Sequence, residues 1–340
     1  IAFLVDSYRG ETKQYDMINY LLFITFFPQL IVGPIIHHGE VVPQFENEEN
    51  LKLNFDNIAV GLFLFSIGCA KKILLADPLT TDAQAFFGNI TDSLPMIDSW
   101  FHSVEYTVSY YFDLSGYADM AIGLGMMFNI VIPHNFDSPY KARNFQDYWK
   151  RWHITLSRFL SAYIFRSVYR KGDKWRNYYV ATMVTFFVSG FWHGAGWTFI
   201  VWGLVNGIFV CTAAWMRRKG LKFPFPLAFG LTAVGVVGAR ILFVSETFTD
   251  AWNVYRGMLN FSSLGGVSGL LQQGYAFVRD NTLCTVLLLA GLFICWFLPN
   301  SRQMAEKFKP NWKTAVFAAV LLIICIMQMN QVVQFLYFQF

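Results

Sequence analysis

The run Trp192–Trp197 (WHGAGW) places one histidine, His193, inside an apolar stretch that is wide enough to enter a lipid bilayer. Tyr178–Phe191 precedes it and Thr198–Met216 follows it, and both are almost entirely apolar. An ionisable group at membrane depth is costly, so it usually marks a functional site. Imidazole titrates near neutral pH and is the most frequent general base in enzymes. The run therefore predicts a buried base, with a histidine that only hydrogen-bonds a neighbouring helix as the alternative.

A second histidine, His153, lies in Tyr148–Ser157 (YWKRWHITLS), an amphipathic stretch that is rich in cations. Neighbouring positive charge disfavours protonation of an imidazole, so we expect a neutral ring. Taken alone, the pattern is also that of a surface histidine in a basic helix. Paired with His193, it indicates a residue that orients a substrate or donates a hydrogen bond to a developing oxyanion.

A group of polar side chains interrupts the apolar region that ends near residue 131. Its members are Asp113, Ser115, Tyr117 and Asp119. The carboxylates are candidates for a substrate cavity, or for structural ion pairs beneath a basic layer. The arginines considered as their partners are Arg143, Arg151 and Arg158. Both alternatives stay open, and Asp113, Ser115 and Tyr117 are kept as candidate substrate-binding or supporting residues.

Metal binding has weak support in the sequence. His37 and His38, with Glu40 close by, resemble a fragment of a metal site, but adjacent side chains on a helix do not face each other and no third ligand is evident. The five cysteines all lie in apolar segments, without a CxxC or CxxH spacing: Cys69, Cys211, Cys284, Cys295 and Cys325. They predict neither a disulfide framework nor a metal centre.

The composition is that of an integral membrane protein. Hydrophobic residues make up 55% of the chain and charged residues 14%, against roughly 25% charged residues in soluble domains. The apolar runs have the length of helices rather than of barrel strands, so the expected fold class is all-α. The sequence contains no Walker loop, dinucleotide fingerprint, HExxH or GxSxG motif, which argues against ATP-driven pumps, zinc proteases and serine hydrolases.

Several apolar runs are candidate membrane segments. Met17–Ile36 is interrupted by Pro28 and by Gly33, so it predicts a broken or re-entrant segment. The runs that predict spans are Phe55–Ala76, Phe225–Val244, Leu283–Leu298 and Ala315–Met329. The polar group divides two shorter runs, Trp100–Phe112 and Asp119–Val131, which are too polar to face lipid alone and are expected to pack inside the protein.

Basic residues give a topology. Ten of them lie between Lys141 and Arg176, against two acidic residues, with aromatic side chains interleaved. By the positive-inside rule this basic layer and Arg217–Lys222 are cytoplasmic, so Tyr178–Met216 is a hairpin with His193 at its deep turn. Glu246–Asp280 then lies on the outer side. In so apolar a chain the basic layer indicates anionic lipid or a cytoplasmic partner rather than nucleic acid.

Four blocks of this sequence occur in the order found in one known family. They are Phe26–Ile35 (FFPQLIVGPI), Tyr111–Phe128 (YFDLSGYADMAIGLGMMF), Asn135–Leu160 (NFDSPYKARNFQDYWKRWHITLSRFL) and Phe191–Gly203 (FWHGAGWTFIVWG). Together they resemble the membrane-bound O-acyltransferases, in particular the bacterial branch that acetylates alginate and other exopolysaccharides. The final FLYFQF, Phe335–Phe340, is also similar to that branch.

The resemblance implies a polytopic helical bundle, with broken or re-entrant helices around a transmembrane tunnel, in the bacterial inner membrane. It implies no bound cofactor. An acyl thioester, acetyl-CoA or an acyl carrier protein, is the donor on the cytoplasmic side. The acceptor on the other side is a hydroxyl of a glycan, or an SGNH-type acetyltransferase that relays the acetyl group. It also implies that residues 1–340 are one domain whose N-terminal helices are missing.

The essential histidine of the family falls on His193 and its second histidine on His153. Asn135, Arg151 and Trp192 lie in the matching blocks and are candidate supporting residues. After the second histidine the family pattern RDYxYxPLGGNR is replaced by Ser161–Gly172 (SAYIFRSVYRKG), which leaves the donor and the partner open. The expected function is O-acyl transfer with His193 as general base. The alternatives are a transporter and a non-catalytic membrane scaffold.

Overall fold

The protein, seen as a computed structural model, is described for residues 2–10, 15–30, 33–169 and 175–329, and all regular structure in these ranges is helical. Its α-helices in the described ranges are α1 (Ala2–Tyr8), α2 (Met17–Thr25), α3 (His38–Phe45), α4 (Phe55–Ala70), α5 (Asp77–Phe87), α6 (Met96–Met127), α7 (Phe145–Arg151), α8 (Ile154–Leu160), α9 (Arg166–Val168), α10 (Trp175–His193), α11 (Trp197–Arg218), α12 (Phe225–Val244), α13 (Phe248–Met258), α14 (Gly266–Asp280), α15 (Thr282–Phe297), α16 (Ser301–Glu306) and α17 (Trp312–Gln328). The expected all-α class is therefore confirmed for the described chain.

Length and hydropathy identify the helices that are able to cross a membrane. Phe55–Phe87, Trp197–Arg218 and Phe225–Val244 qualify among the described residues. Helices α14 and α15 qualify only together, and they meet at a 95° bend. The predicted span Phe55–Ala76 continues further than expected, because a π-helical segment, Lys71–Ala76, joins α4 to α5 without a break. The protein is thus a polytopic helical membrane protein.

Helix α6 corrects one prediction. The two segments expected on either side of the polar group are a single helix of 32 residues. The polar group does not break the helix, because lysines of the π-helical segment after α4 neutralise its carboxylates: Lys71 Nζ lies 2.6 Å from Asp119 Oδ2, and Lys72 Nζ lies 2.7 Å from Asp113 Oδ1. Most of α6 is buried, so the expectation that this region packs inside the protein is confirmed.

Small residues bring α4 and α6 together. A Cβ built on Gly68 would lie 2.5 Å from the carbonyl oxygen of Gly116, and one built on Gly61 would lie 2.5 Å from that of Gly123. Since real Cβ atoms do not approach so closely, these positions need glycine. Close backbone approach through glycines is a usual way for membrane helices to associate. The contact fixes α6, which lies at the centre of the largest hydrophobic core.

Helices α10 and α11 form the hairpin that the sequence predicts. Helix α10 ends at His193 and α11 begins at Trp197, so the chain reverses within WHGAGW. A side chain at Gly203 would collide with the carbonyl oxygen of Phe186, which shows how closely the two arms pack. The first arm begins at Trp175, so it is longer than the arm expected from Tyr178. The break predicted near Pro28 is also found, because α2 ends at Thr25 and a short 3-10 turn follows.

A labelling experiment tests the orientation of this hairpin. In a background without the native cysteines, we expect cysteines at the exposed positions Ser167 and Lys219 to react alike with a membrane-impermeant thiol reagent. Both should stay unlabelled in right-side-out vesicles and become labelled in inverted ones, because both ends of the hairpin are cytoplasmic by the positive-inside rule. A cysteine at exposed Gln272, on α14, is the control and should show the reverse pattern. Opposite labelling of Ser167 and Lys219 would contradict the hairpin topology.

Candidate active site

His153 lies between α7 and α8 in a left-handed backbone conformation, with φ 44° and ψ 55°. The side chain of buried Asn135 organises this turn. Its Oδ1 accepts hydrogen bonds from the Thr155 backbone N–H (3.2 Å) and the Thr155 hydroxyl (2.9 Å), and it lies 3.1 Å from His153 Nδ1. Because that oxygen can only accept, Nδ1 of the neutral ring carries the hydrogen and donates it. Nε2 of His153 therefore keeps a lone pair that is able to accept a proton or a hydrogen bond.

The protonation state of His153 agrees with the prediction, but the cause is different. Burial lowers the pKa of the His153 imidazole to about 4, while a hydrogen bond to its own backbone acts in the opposite direction. The sequence predicts a neutral ring on the basis of neighbouring cations. Desolvation is the larger effect here, since it disfavours the charged form of an imidazole wherever water is excluded.

His193 lies at the end of α10, with its ring held between two aromatic side chains. Trp202 meets it edge-on at 5.1 Å between ring centroids, and Phe243 does so at 5.3 Å. His153 and Arg240 are both close enough to His193 to act on its charge. The two predicted histidines, which are separate in the sequence, thus come together where the α10–α11 turn meets the α7–α8 connection.

Arg240, on α12, is a residue that the sequence analysis missed. It is only 4% exposed, and its guanidinium lies over the rings of Tyr110 (4.2 Å), Trp152 (5.0 Å) and Phe243 (5.2 Å). Cation–π contacts of this kind stabilise a desolvated cation. Its Nε has no hydrogen-bond partner among the described residues, so one buried donor remains to be used. The available signal was a single arginine within the apolar run of α12.

Aromatic rings enclose this centre. Trp152 is 3% exposed and stacks on Tyr148 at 5.6 Å and on Tyr110 at 5.9 Å. Since Trp152 and Phe243 both contact Arg240, and Phe243 also contacts His193, the rings connect the arginine to the histidine at the hairpin turn. The centre is a cationic and imidazole site in apolar walls, where electrostatic interactions are stronger than in water.

The other candidate supporting residues do not all lie at the centre formed by the two histidines and Arg240. Arg151 donates to Asp147 Oδ1 at 2.8 Å and to the carbonyl of Asp137 at 3.2 Å, so it holds the loop that carries Asn135. Trp192 is 45% exposed and packs against Phe159 rather than into the centre. Ser115 is buried within α6 and Tyr117 is partly buried there.

The arginine partners considered for the polar group are wrong. Asp113 and Asp119 pair with the lysines of the π-helical segment, as described above, and Ser301 donates a further hydrogen bond of 2.7 Å to Asp119. Arg158 pairs instead with Glu40, Arg151 with Asp147, and Arg143 lies over the ring of Phe225. The ion-pair alternative holds with different cations, because α4 and the π-helical segment after it pack against α6 and place their lysines beside these carboxylates.

His37 and His38 also differ from the prediction. Their side chains do not diverge, since both Nε2 atoms lie next to the same carboxylate oxygen of Asp6, at 2.7 Å and 3.0 Å. The reason is that His37 precedes the first turn of α3 and is not helical. Tyr163 donates to Asp6 as well. A third potential ligand therefore does accompany the pair, and it is Asp6 of α1.

A cavity of about 840 Å³ opens beside the His153 turn. Its lining includes Ile154 and Thr155, the two residues after His153, and four cations. These cations are Arg9, Lys150, Arg158 and Arg166. The part of the basic layer between residues 170 and 174 lies outside the described residues. In the described part, basic side chains line a space that leads toward the second histidine.

The fold and this site together define a polytopic helical membrane protein with two histidines and a buried arginine at one enclosed centre. Residues 3–244 match the profile of the membrane-bound O-acyltransferase (MBOAT) family. The chain belongs to this family, and the resemblance drawn from the four sequence blocks is confirmed.

Curated relatives carry related activities in their names. The chain is 41% identical to a peptidoglycan O-acetyltransferase of Helicobacter pylori over 95% of its own length and 64% of the relative's. It is 33% identical to a probable alginate O-acetylase of Pseudomonas aeruginosa over 86% of its length and 56% of the relative's. A teichoic acid D-alanyltransferase of Streptococcus thermophilus is 26% identical over 76% of the chain and 66% of the relative. The chain thus spans between about half and two thirds of these relatives.

Proposed function

We propose that this protein is a membrane O-acyltransferase that moves an acetyl group from a cytoplasmic thioester to a hydroxyl on the other side of a bacterial inner membrane. The observation that carries the proposal is the meeting of His193, His153 and Arg240 at one enclosed centre. Acyl transfer needs a base for the hydroxyl and a donor for the oxyanion, and these three side chains supply both kinds of group.

The chemistry assigns a role to each residue. His193 takes the proton of the acceptor hydroxyl as the hydroxyl oxygen attacks the thioester carbonyl. The tetrahedral oxyanion that forms accepts a hydrogen bond from the Nε–H of Arg240. The C–S bond then breaks, and the imidazolium returns the proton to the departing thiolate. His153 donates its Nδ1 hydrogen to Asn135, so its Nε2 is suited to accept from the hydroxyl and orient it. Of the two roles considered for His153, this one agrees with its hydrogen bonding.

The relatives support the acceptor class. Peptidoglycan and alginate are named as acetylated glycans, and teichoic acid is named as a D-alanylated polymer. We infer that the acceptor here is an extracytoplasmic glycan, or an SGNH-type acetyltransferase that passes the group on. A tunnel that excludes water favours transfer over hydrolysis of the thioester. It also makes it unnecessary for donor or acceptor to cross the membrane.

The test is turnover of an acetyl thioester by the purified protein in lipid vesicles. Consumption that depends on an added glycan or partner acceptor is expected. A transporter would move a substrate without cleaving the thioester, and a scaffold would do neither. Absence of cleavage with both acetyl-CoA and an acetylated acyl carrier protein, in correctly inserted protein, would reject the enzymatic proposal.

Donor entry is predicted at the cavity beside His153. We expect Arg166→Glu to raise the donor KM, because both candidate donors are anionic and arginine binds phosphate through two hydrogen bonds. The effect should be larger at 0.01 M salt, where the screening length is about 30 Å, than at 0.1 M, where it is about 10 Å. Lys309→Glu makes the same charge change at an exposed position outside the cavity and serves as control.

Kinetics of the two variants separate donor binding from anchoring to anionic lipid. If the cations of the cavity only bind anionic lipid, Arg166→Glu will lower the amount of inserted protein. The donor KM of the protein that does insert will then be unchanged at both salt concentrations. That result would remove the cavity from the donor site.

A further inference from the structure

Away from the two histidines, a second group of titratable side chains converges where α5, α6 and α15 meet. Asp82, His102 and Glu105 offer ligand atoms that all lie within 4.8 Å of one another. His102 Nδ1 is 2.9 Å from Glu105 Oε2 and 3.6 Å from Asp82 Oδ2. The thiol of Cys284, near the start of α15, lies beside both carboxyl groups. Three residues from two helices thus face one point, and a thiol from a third helix lies near them.

This group carries more negative charge than its surroundings balance. Glu105 is fully buried, at 0% exposure. Oε1 of Glu105 and Oδ2 of Asp82 have no hydrogen-bond partner among the described residues. Within the same residues, His102 is the only ion-pair partner of either carboxylate. Burying a charge without compensation is costly. Two carboxylates around one imidazole therefore need a further positive charge, which is either a shared proton or a cation.

Aromatic side chains fix the imidazole of this group. The His102 ring stacks on Phe86 at 4.5 Å between centroids, and the rings of Phe101 and Phe277 meet it at 5.2 Å and 6.0 Å. These contacts come from α5, α6 and α14, so they hold Nδ1 toward the carboxylates from several sides. A ring held in this way is preorganised as a metal ligand, since little side-chain freedom is left to lose.

We propose that Asp82, His102 and Glu105 bind a divalent transition-metal cation of the Zn²⁺ class, with the neighbouring thiol of Cys284 as a fourth ligand. One imidazole nitrogen, two carboxylate oxygens and one thiolate are a ligand set that zinc accepts, whereas calcium and magnesium prefer oxygen alone. Cysteine spacing along the chain does not reveal the site, because its ligands come from different helices. The ion joins α5 and α6 to the 95° bend between α14 and α15, at the predicted outer side, and so stabilises that bend.

Cobalt titration of the chelator-treated, full-length chain in detergent tests the site. We expect a single Co²⁺ per chain, with the visible absorption of a four-coordinate ion and a sulfur-to-cobalt charge-transfer band. His102→Gln and Glu105→Gln should abolish binding, and Cys284→Ser should remove the charge-transfer band. Addition of Zn²⁺ should raise the Tm of the wild-type chain but not that of His102→Gln, because only a bound ligand stabilises the folded state.

The other compact group provides the matched control. Both imidazoles beside Asp6 are already bonded to its carboxylate, so His37→Gln, at a partly exposed position, should leave the Co²⁺ stoichiometry unchanged. Loss of Co²⁺ in His37→Gln, or its retention in His102→Gln, would overturn the proposal. Absence of binding in the wild type would show that a proton balances the carboxylates. If the buried variants do not insert, Cys284→Ser decides, since a band that persists without this thiol excludes the site.

Discussion

Replacement of His193 by alanine is expected to abolish acetyl transfer in cells and to lower thioester turnover by a factor of about 10²–10⁴, the usual contribution of a general base. The imidazole lies at the hairpin turn, where His153 and Arg240 are both near enough to act on its charge. His193 itself is partly exposed, and its replacement by alanine leaves the buried rings of Trp202 and Phe243 in place, so the variant should still insert. His153→Ala should be impaired strongly but less completely, because Nε2 of His153 orients the hydroxyl and does not take its proton.

His134→Gln is the matched control for these variants. His134 is partly buried and lies in the electrostatic environment of Asp119, Arg302 and Glu306 rather than of the two histidines. Turnover is measured at equal membrane abundance of the three proteins. Product acetylation near the wild-type level in His193→Ala would reject its assignment as the base, whereas equal losses in all three variants would indicate a folding defect.

The second large effect is expected at Arg240. Arg240→Met keeps most of the side-chain volume and removes the buried donor, so kcat should fall by about 10²–10³, the usual cost of losing one oxyanion-hole donor. The same change removes a desolvated charge from an aromatic enclosure. Replacing a buried charge by an apolar side chain is often neutral or stabilising, so the variant should remain abundant and show an unchanged or higher Tm.

Two comparisons make the Arg240 prediction specific. Arg256→Met alters an exposed arginine on α13 and should change neither kcat nor Tm. Arg240→Lys keeps the charge but loses the planar fork, so it should recover only part of the lost kcat. A lower Tm with proportionate loss of protein would assign Arg240 a structural role instead. An unchanged kcat in Arg240→Met would remove it from the oxyanion site.

Local patterns in the sequence predicted those parts of the fold that depend on neighbours along the chain. The glycines of WHGAGW and the proline at position 28 change the backbone where they stand, so the hairpin turn and the broken first segment were found. Asp113 and Asp119 were misleading because the cost of burying a carboxylate depends on its partner. Their partners, Lys72 and Lys71, lie on another helix, and sequence spacing does not show that glycine contacts bring the two helices together.

The site was predicted unevenly for the same reason. His193 stood out because its own surroundings are apolar, and His153 because of its motif. Arg240 has equally apolar neighbours in the sequence. Its place in the site, however, depends on aromatic rings from α6, the α7–α8 connection and α12 itself, which come together only in the folded chain. The direction of the His153 hydrogen bonds could not be inferred either, since it depends on an amide that lies before α7.

The hairpin that carries His193 has arms of 19 and 22 residues. At 1.5 Å per residue these arms are roughly 28 Å and 33 Å long, close to the ~30 Å thickness of a bilayer's hydrocarbon core. With both ends of the hairpin on the cytoplasmic side, as the positive-inside rule predicts, the depth of the imidazole in the lipid would be set by helix length. A thinner or thicker bilayer would tilt or shift the hairpin and, with it, the distance between the imidazole and each water phase. Lipid chain length would therefore affect the access of donor and acceptor to the imidazole, although no lipid has to touch the reacting atoms.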